Sequence, residues 1–214
     1  MKVMLFYKRI CIVIIFGFLF SFSAKCQWSF GLRSGINFNK QKHYWNTEKT
    51  KTSDAIKGFE FGAIVEKETN LGIVFEGGLS LIQKGQRLSG LYVLKINTLE
   101  ANVILNYRLH FNNISFSLGG GGFLDYAINA KDKISGIDES FNGYSVKRDF
   151  INREGGGILL NTSIGYRLNS GKIYIDCRHR SSINNFINEA QEEEGEFSTK
   201  NVGIAFNFGY SWFF

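Results

Sequence analysis

The chain has no proline in 214 residues. Proline fits a sheet only at edges and bulges, and a sheet closed on itself has no edges, so this absence suits a closed β-structure. Cysteine is nearly absent too, with Cys11, Cys26 and Cys177 alone, which excludes a disulfide-stapled scaffold. Three histidines leave little material for a histidine-based catalytic or metal site. Apart from Ile10 to Phe20 there is no long apolar run, so helical membrane spans in series are excluded. A charge excess of one sign is also missing once the N-terminus is set aside. Residues 1–26 carry Lys2, Lys8, Arg9 and Lys25 and no acid, which leaves 21 basic residues against 19 acidic ones. That near-balance gives no support for nucleic-acid binding.

What is present is glycine, aromatics and alternation. The sequence holds 24 Gly, 21 Phe and 9 Tyr. Lys2, Lys8 and Arg9, the apolar run and the small residues before Gln27 have the layout of a secretory signal peptide, with cleavage expected after Cys26. This leaves residues 27–214 as one domain. Cleavage also removes two of the three cysteines, and Cys177 is read as a small hydrophobe.

From Val202 to Phe214 every second residue is apolar, and small or polar residues fill the alternate positions, with Phe213 the exception. Period-two alternation marks a strand with one apolar face. The last eight residues also resemble the C-terminal signal that outer-membrane β-barrels present to their insertion machinery, carried here by Asn207, Gly209, Trp212 and Phe214. The same alternation predicts seven earlier strands, at about 28–39, 58–67, 71–84, 92–109, 114–130, 157–168 and 172–181. Connections after strands one, three, five and seven are polar and mostly long, whereas those after two, four and six have three or four residues. An eight-stranded antiparallel up-and-down transmembrane β-barrel, all-β, predicts this asymmetry, with short periplasmic turns and longer outer loops. Trp28, Phe30, Tyr107, Tyr166, Tyr210, Trp212 and Phe214 fall near the periplasmic ends; Phe38, Phe59 and Tyr126 fall near the outer ends, as two interfacial girdles require.

The segments GLRSGINFN (31–39), GFEFGAIVE (58–66), LSLIQKG (79–85) and DCRHRSSINNF (176–186), with the terminal signal, resemble the PorT-like outer-membrane β-barrel family over nearly all of the mature chain. The fourth strand departs from the family's aromatic-Leu-Glu-Ile-Pro pattern: Thr98-Leu99-Glu100-Ala101-Asn102 keeps Leu and Glu without Pro. The resemblance implies a signal-exported barrel in the outer membrane of a Gram-negative-type envelope. It also implies a structural or interaction role, accessory to an envelope or secretion complex. A narrow channel is the alternative, and a lipid-modifying barrel enzyme ranks below it.

The polar faces point into a narrow lumen that side chains fill. By depth, Arg33, Glu76, Glu100, Asp176 and Arg178 meet near mid-height as a buried charge network, read as structural because buried charges need partners. No catalytic, cofactor or metal set is expected. His43 sits in the first loop, His110 in a turn, and His179 on the lipid side in register with Cys177, so none is placed for a lumenal triad. Gly119 to Gly122 lacks the Gly-Lys-Ser/Thr of a phosphate loop. The acidic run Glu189 to Glu196 matches no calcium-loop spacing. The expected partners are outer-membrane lipid and lipopolysaccharide, the barrel-insertion machinery during biogenesis, and an envelope protein.

Overall fold

The computed structural model describes residues 27–45, 48–52, 54–88, 92–134, 154–183 and 197–214. The expected signal peptide at 1–26 and the acidic run at 189–196 lie outside the described residues. Alternating side chains form nine strands and, among the described residues, no helix: β1 Gln27–Trp45, β2 Glu48–Thr52, β3 Ile56–Glu68, β4 Ile73–Leu88, β5 Tyr92–Phe111, β6 Ile114–Ile134, β7 Glu154–Arg167, β8 Gly171–Ser182 and β9 Phe197–Phe213.

Eight of these, all but β2, make one closed antiparallel barrel. β1 pairs with β3, each following strand pairs with the next, and β9 returns to β1. From Phe38 the register passes through Ile204, His179, Leu160, Gly120, Leu105, Phe75 and Lys67 and arrives at Trp28, ten residues below its start on the same strand. A stagger of ten over eight strands tilts them by about 40° from the barrel axis.

One end carries the short turns and both ends of the barrel. Two-residue turns at Asn112-Asn113 and Asn169-Ser170 join β5 to β6 and β7 to β8, and Asn112 takes the left-handed conformation that such a turn demands. Between β3 and β4, Gly72 supplies a positive φ of 76° and donates to the Thr69 carbonyl at 3.0 Å. The Phe214 amide donates to the Trp28 carbonyl at 3.1 Å, so the chain's last residue closes onto the first strand. Outer-membrane barrels carry their short turns on the periplasmic side, and this end is called periplasmic in that sense.

The burial is inverted relative to a water-soluble protein. Val103 is 70 % exposed and Leu124 72 %, while Arg33 is 1 % and Glu100 0 %. From Trp28 to Phe38 the outward side chains of β1 are apolar but for Ser34, which at the strand tilt gives a band about 25 Å tall. An apolar surface of this extent is solvated by hydrocarbon rather than water. At its periplasmic edge Trp212 stacks on Phe30 at 6.2 Å and meets Tyr210 edge-on at 4.7 Å.

Two connections differ from expectation. Residues 40–57 are not a loop throughout: β1 continues to Trp45 and β2 folds back on it, pairing Lys42 with Thr52 and Trp45 with Glu48. Residues 85–88, expected in a loop, belong to β4, which runs to Leu88, and β5 starts opposite it at Tyr92. Both strand ends stand above the apolar band, where a strand needs no oily face.

Candidate functional site

The lumen holds the molecule's chemistry, and period-two geometry puts it there. Each inward position of β8 carries a polar side chain: Lys172, Tyr174, Asp176, Arg178, Arg180 and Ser182. β4 lies four strands from β8 in a ring of eight, on the opposite wall. The Arg178 Nη2 donates to Glu76 Oε1 at 2.6 Å, so one ion pair spans the bore.

This pair belongs to a line of nine groups in which acids and bases alternate. Asp176 receives Arg178 Nε at 3.2 Å. Glu76 is shared between Arg178 and Arg33, the latter at 3.3 Å. Arg33 Nε lies 3.3 Å from Glu60, and its Nη2 donates to Ser80 at 2.8 Å. Arg180 donates to Glu60 at 2.8 Å and to Glu100 at 2.9 Å. Lys84 lies 3.4 Å from Glu100 and also pairs with Asp125. An acid stands at each end, so the ladder holds five carboxylates and four cations. Every member but Asp125 is buried. Neutral donors add to it: Asn207 donates to Asp176 at 2.8 Å, and Asn106, itself receiving Asn161 at 3.0 Å, donates to Glu76 at 3.5 Å.

A second cluster lies at the periplasmic end. Glu66 accepts from Lys172 at 2.9 Å, Arg108 at 2.8 Å and Ser29 at 3.2 Å. Arg108 also reaches Glu68 at 2.7 Å and Ser117 at 2.9 Å, and His110 meets Glu68 at the exposed rim. On the β5–β6–β7 wall Ile104, Phe123 and Leu159 pack together, and further out Ile56, Ile82 and Ile96 are buried at the lumen's outer end. Among the described residues, side chains therefore occupy the bore at successive heights.

All five residues expected to form the charge network are in it. Arg33, Glu76, Asp176 and Arg178 touch directly, while Glu100 joins through Arg180. Sequence reasoning left out Glu60, Lys84, Asp125 and Arg180 from the ladder, and Glu66, Glu68, Arg108 and Lys172 from the periplasmic cluster. The signal was available, since Lys172 and Arg180 share the inward face of β8 with Asp176.

The four C-terminal positions divide between the two faces. Asn207 is buried against Asp176. Gly209 lies under Tyr174, whose ring carbon Cζ is 2.3 Å from where a Cβ would stand. Trp212 and Phe214 point outward, 43 % and 76 % exposed. The glycine run 119–122 lies within β6, and a Cβ at Gly119 would fall 2.3 Å from the Asn106 side-chain oxygen. The run therefore permits close approach to β5. His179 faces outward opposite Leu160 and Ile204, and Cys177 opposite Thr162 and Phe206. An apolar dent of about 270 Å³ lined by Ile114, Ile164, Tyr166, Ile173 and Phe208 opens toward lipid, not into the lumen. Among the described residues no group of three His, Cys, Asp or Glu is arranged to hold a metal.

No family model matches the chain, and no curated protein sequence matches it. Among solved structures it is similar to the outer membrane protein OprG from Pseudomonas aeruginosa, at 12 % identity and a TM-score of 0.46, over 86 % of this chain and 95 % of that one. Neisserial surface protein A is similar at 14 % identity and a TM-score of 0.47, over 84 % and 95 %. Ail, the attachment invasion locus protein of Yersinia pestis, is similar at 13 % identity and a TM-score of 0.44, over 86 % and 98 %. The eight-stranded closure itself rests on this chain's own unbroken hydrogen-bond register, from β1 round to β9 and back.

Proposed function

We propose that the chain is a closed, non-conducting outer-membrane barrel, exported through its signal peptide, that serves as a structural and interaction module of the PorT-like kind. Its partners in this reading are lipid and lipopolysaccharide around it, the insertion machinery that recognises its C-terminal strand, and an envelope or secretion complex to which it is accessory. The observation that carries the non-conducting role is the Arg178–Glu76 pair across the bore. Arg180 braces β8 against β3 and β5 above it, and Lys172 reaches Glu66 below it. A pore needs a continuous wet path, whereas here ion pairs and packed Ile, Leu and Phe side chains occupy successive heights.

Conductance in planar lipid bilayers tests this. The intact barrel is expected to insert without discrete openings. Reproducible unitary currents from the wild-type chain would overturn the reading in favour of a narrow channel. The reading invokes no catalysis: among the described residues ion pairs occupy the lumen, and His179 faces outward.

A further inference from the structure

Just above the apolar band the outward charges are unevenly distributed. On β1 the outward positions beyond Phe38 are Lys40, exposed, and Lys42, half-buried. Lys57 of β3, also exposed, stands opposite Phe38 and therefore diagonal to Lys40. Lys42 faces Lys200 of β9 directly across the strand pair. Four cations thus occupy neighbouring outward positions on three adjacent strands, about 5 Å apart where directly paired and 7–8 Å where diagonal. The diagonal Lys40 and Lys57 are like charges, and an anion lying over such a pair relieves their repulsion. On the far wall the outward positions at the outer ends of β7 and β8 hold Glu154 and Ser181 instead.

Beside the lysines, on β4, β5 and β6, runs a row of outward amides. Gln83 donates to Asn97 at 3.3 Å, and Asn97 donates to Asn129 at 2.8 Å, with Lys95 exposed above them. Amides on the lipid side of a barrel are costly within hydrocarbon but suited to hydroxyl-bearing partners at its border. Lysines act on phosphate as point charges.

We propose that this wall is a headgroup site for a phosphorylated glycolipid of the outer leaflet, with Lys40, Lys42 and Lys57 taking phosphate and the Gln83–Asn97–Asn129 row facing the sugar. The site rests on the reading of the chain as a membrane-spanning barrel, since only then do these side chains lie at headgroup level. It makes the annulus of lipid one-sided, tight on the wall from β9 through β1 to β6 and loose on β7–β8.

The test uses the chain purified from membranes in neutral detergent and titrated with bisphosphorylated lipid A, its dephosphorylated form, or phosphatidylglycerol, with bound lipid counted by native mass spectrometry. Lipid A is expected to bind most tightly. The K40Q/K42Q/K57Q variant should lose roughly a hundredfold in affinity, and K67Q at the periplasmic end should lose nothing. Heat-modifiable gel migration shows that each variant is folded. Equal binding by the triple variant overturns the site. So does binding of the dephosphorylated form or of phosphatidylglycerol as tight as that of lipid A. Either result leaves a closed, heat-modifiable barrel intact, so failure of the lipid site is distinguishable from failure of the barrel reading.

Discussion

At the periplasmic end of the lumen Glu66 takes Lys172, Arg108 and Ser29 together, a hub with one acid at its centre. Further in, nine groups run in a line from Asp176 to Asp125, and no acid there is bonded by more than two of the ladder's cations. The hub lies beside the exposed rim, where Glu68 and His110 reach water; the line lies where neither lipid nor solvent can screen it. Taking charges out of water is expensive, and mutual attraction repays it only when each charge is matched and hydrogen-bonded. A hub tolerates a missing member if the others reach the rim. A line at mid-height does not, because removing an inner link strands the charges on both sides. Position along the bore, more than the number of ion pairs, should therefore decide what each residue contributes.

The largest expected effect follows from breaking the line at its cross-bore link. Arg178→Met leaves Asp176 without a cation and Glu76 with Arg33 alone, and should destabilise the barrel by about 3–5 kcal/mol. The measurement is urea unfolding in lipid vesicles, with the shift in gel migration as the signal. Neutralising the stranded acids as well, in R178M/E76Q/D176N, should recover most of the loss, because an apolar or neutral filling of similar volume costs less than an unpaired charge. If Arg178→Met unfolds at the wild-type urea concentration, the ladder is ornamental and the comparison with the hub collapses.

Glu66→Gln is expected to cost less, about 2 kcal/mol. The amide still accepts from one donor, Arg108 keeps Glu68, and the Lys172 stem can slide its ammonium toward the periplasmic rim. A cost equal to that of Arg178→Met would mean that depth in the bore is irrelevant. The same unfolding experiment ranks the two.

Much of this arrangement could be read without coordinates, and the parts that could not share a physical cause. Within the apolar band, Leu99, Val103 and Leu105 alternate against Glu100, Asn102 and Asn106, so one face must meet lipid and the other the lumen. That fixed Arg33, Glu76, Glu100, Asp176 and Arg178 as inward. The extension of β1 through Lys40, Gln41 and Lys42 into the hairpin with β2 left no such mark, because above the membrane both faces of a strand can be polar. The outer end of β4 was hidden for a related reason: Gly85 and Gly90 suggest a loop, but Gly85 lies inside β4, paired with Lys95. Which inward charges meet across the bore depends on the ten-residue stagger, a sum over every strand pair that no single strand displays. Glu60 and Arg180 were therefore visible as inward residues and invisible as partners of each other.

The smallest effect is expected at the ladder's outer end, and it decides whether the ladder behaves as a line. Asp125 is a half-buried terminal acid, with its side chain 11 % exposed, and its one cation there, Lys84, also holds Glu100. Asp125→Asn removes a terminal carboxylate and leaves four acids alternating with four cations, so no charge is stranded. The asparagine can still accept from Lys84. The expected change in unfolding free energy is about 1 kcal/mol or less, in the range of a partly solvated ion pair. A loss as large as that of Arg178→Met would show that the nine groups act as one cooperative body whose ends matter as much as its middle. Burial depth would then no longer explain the difference between the two clusters.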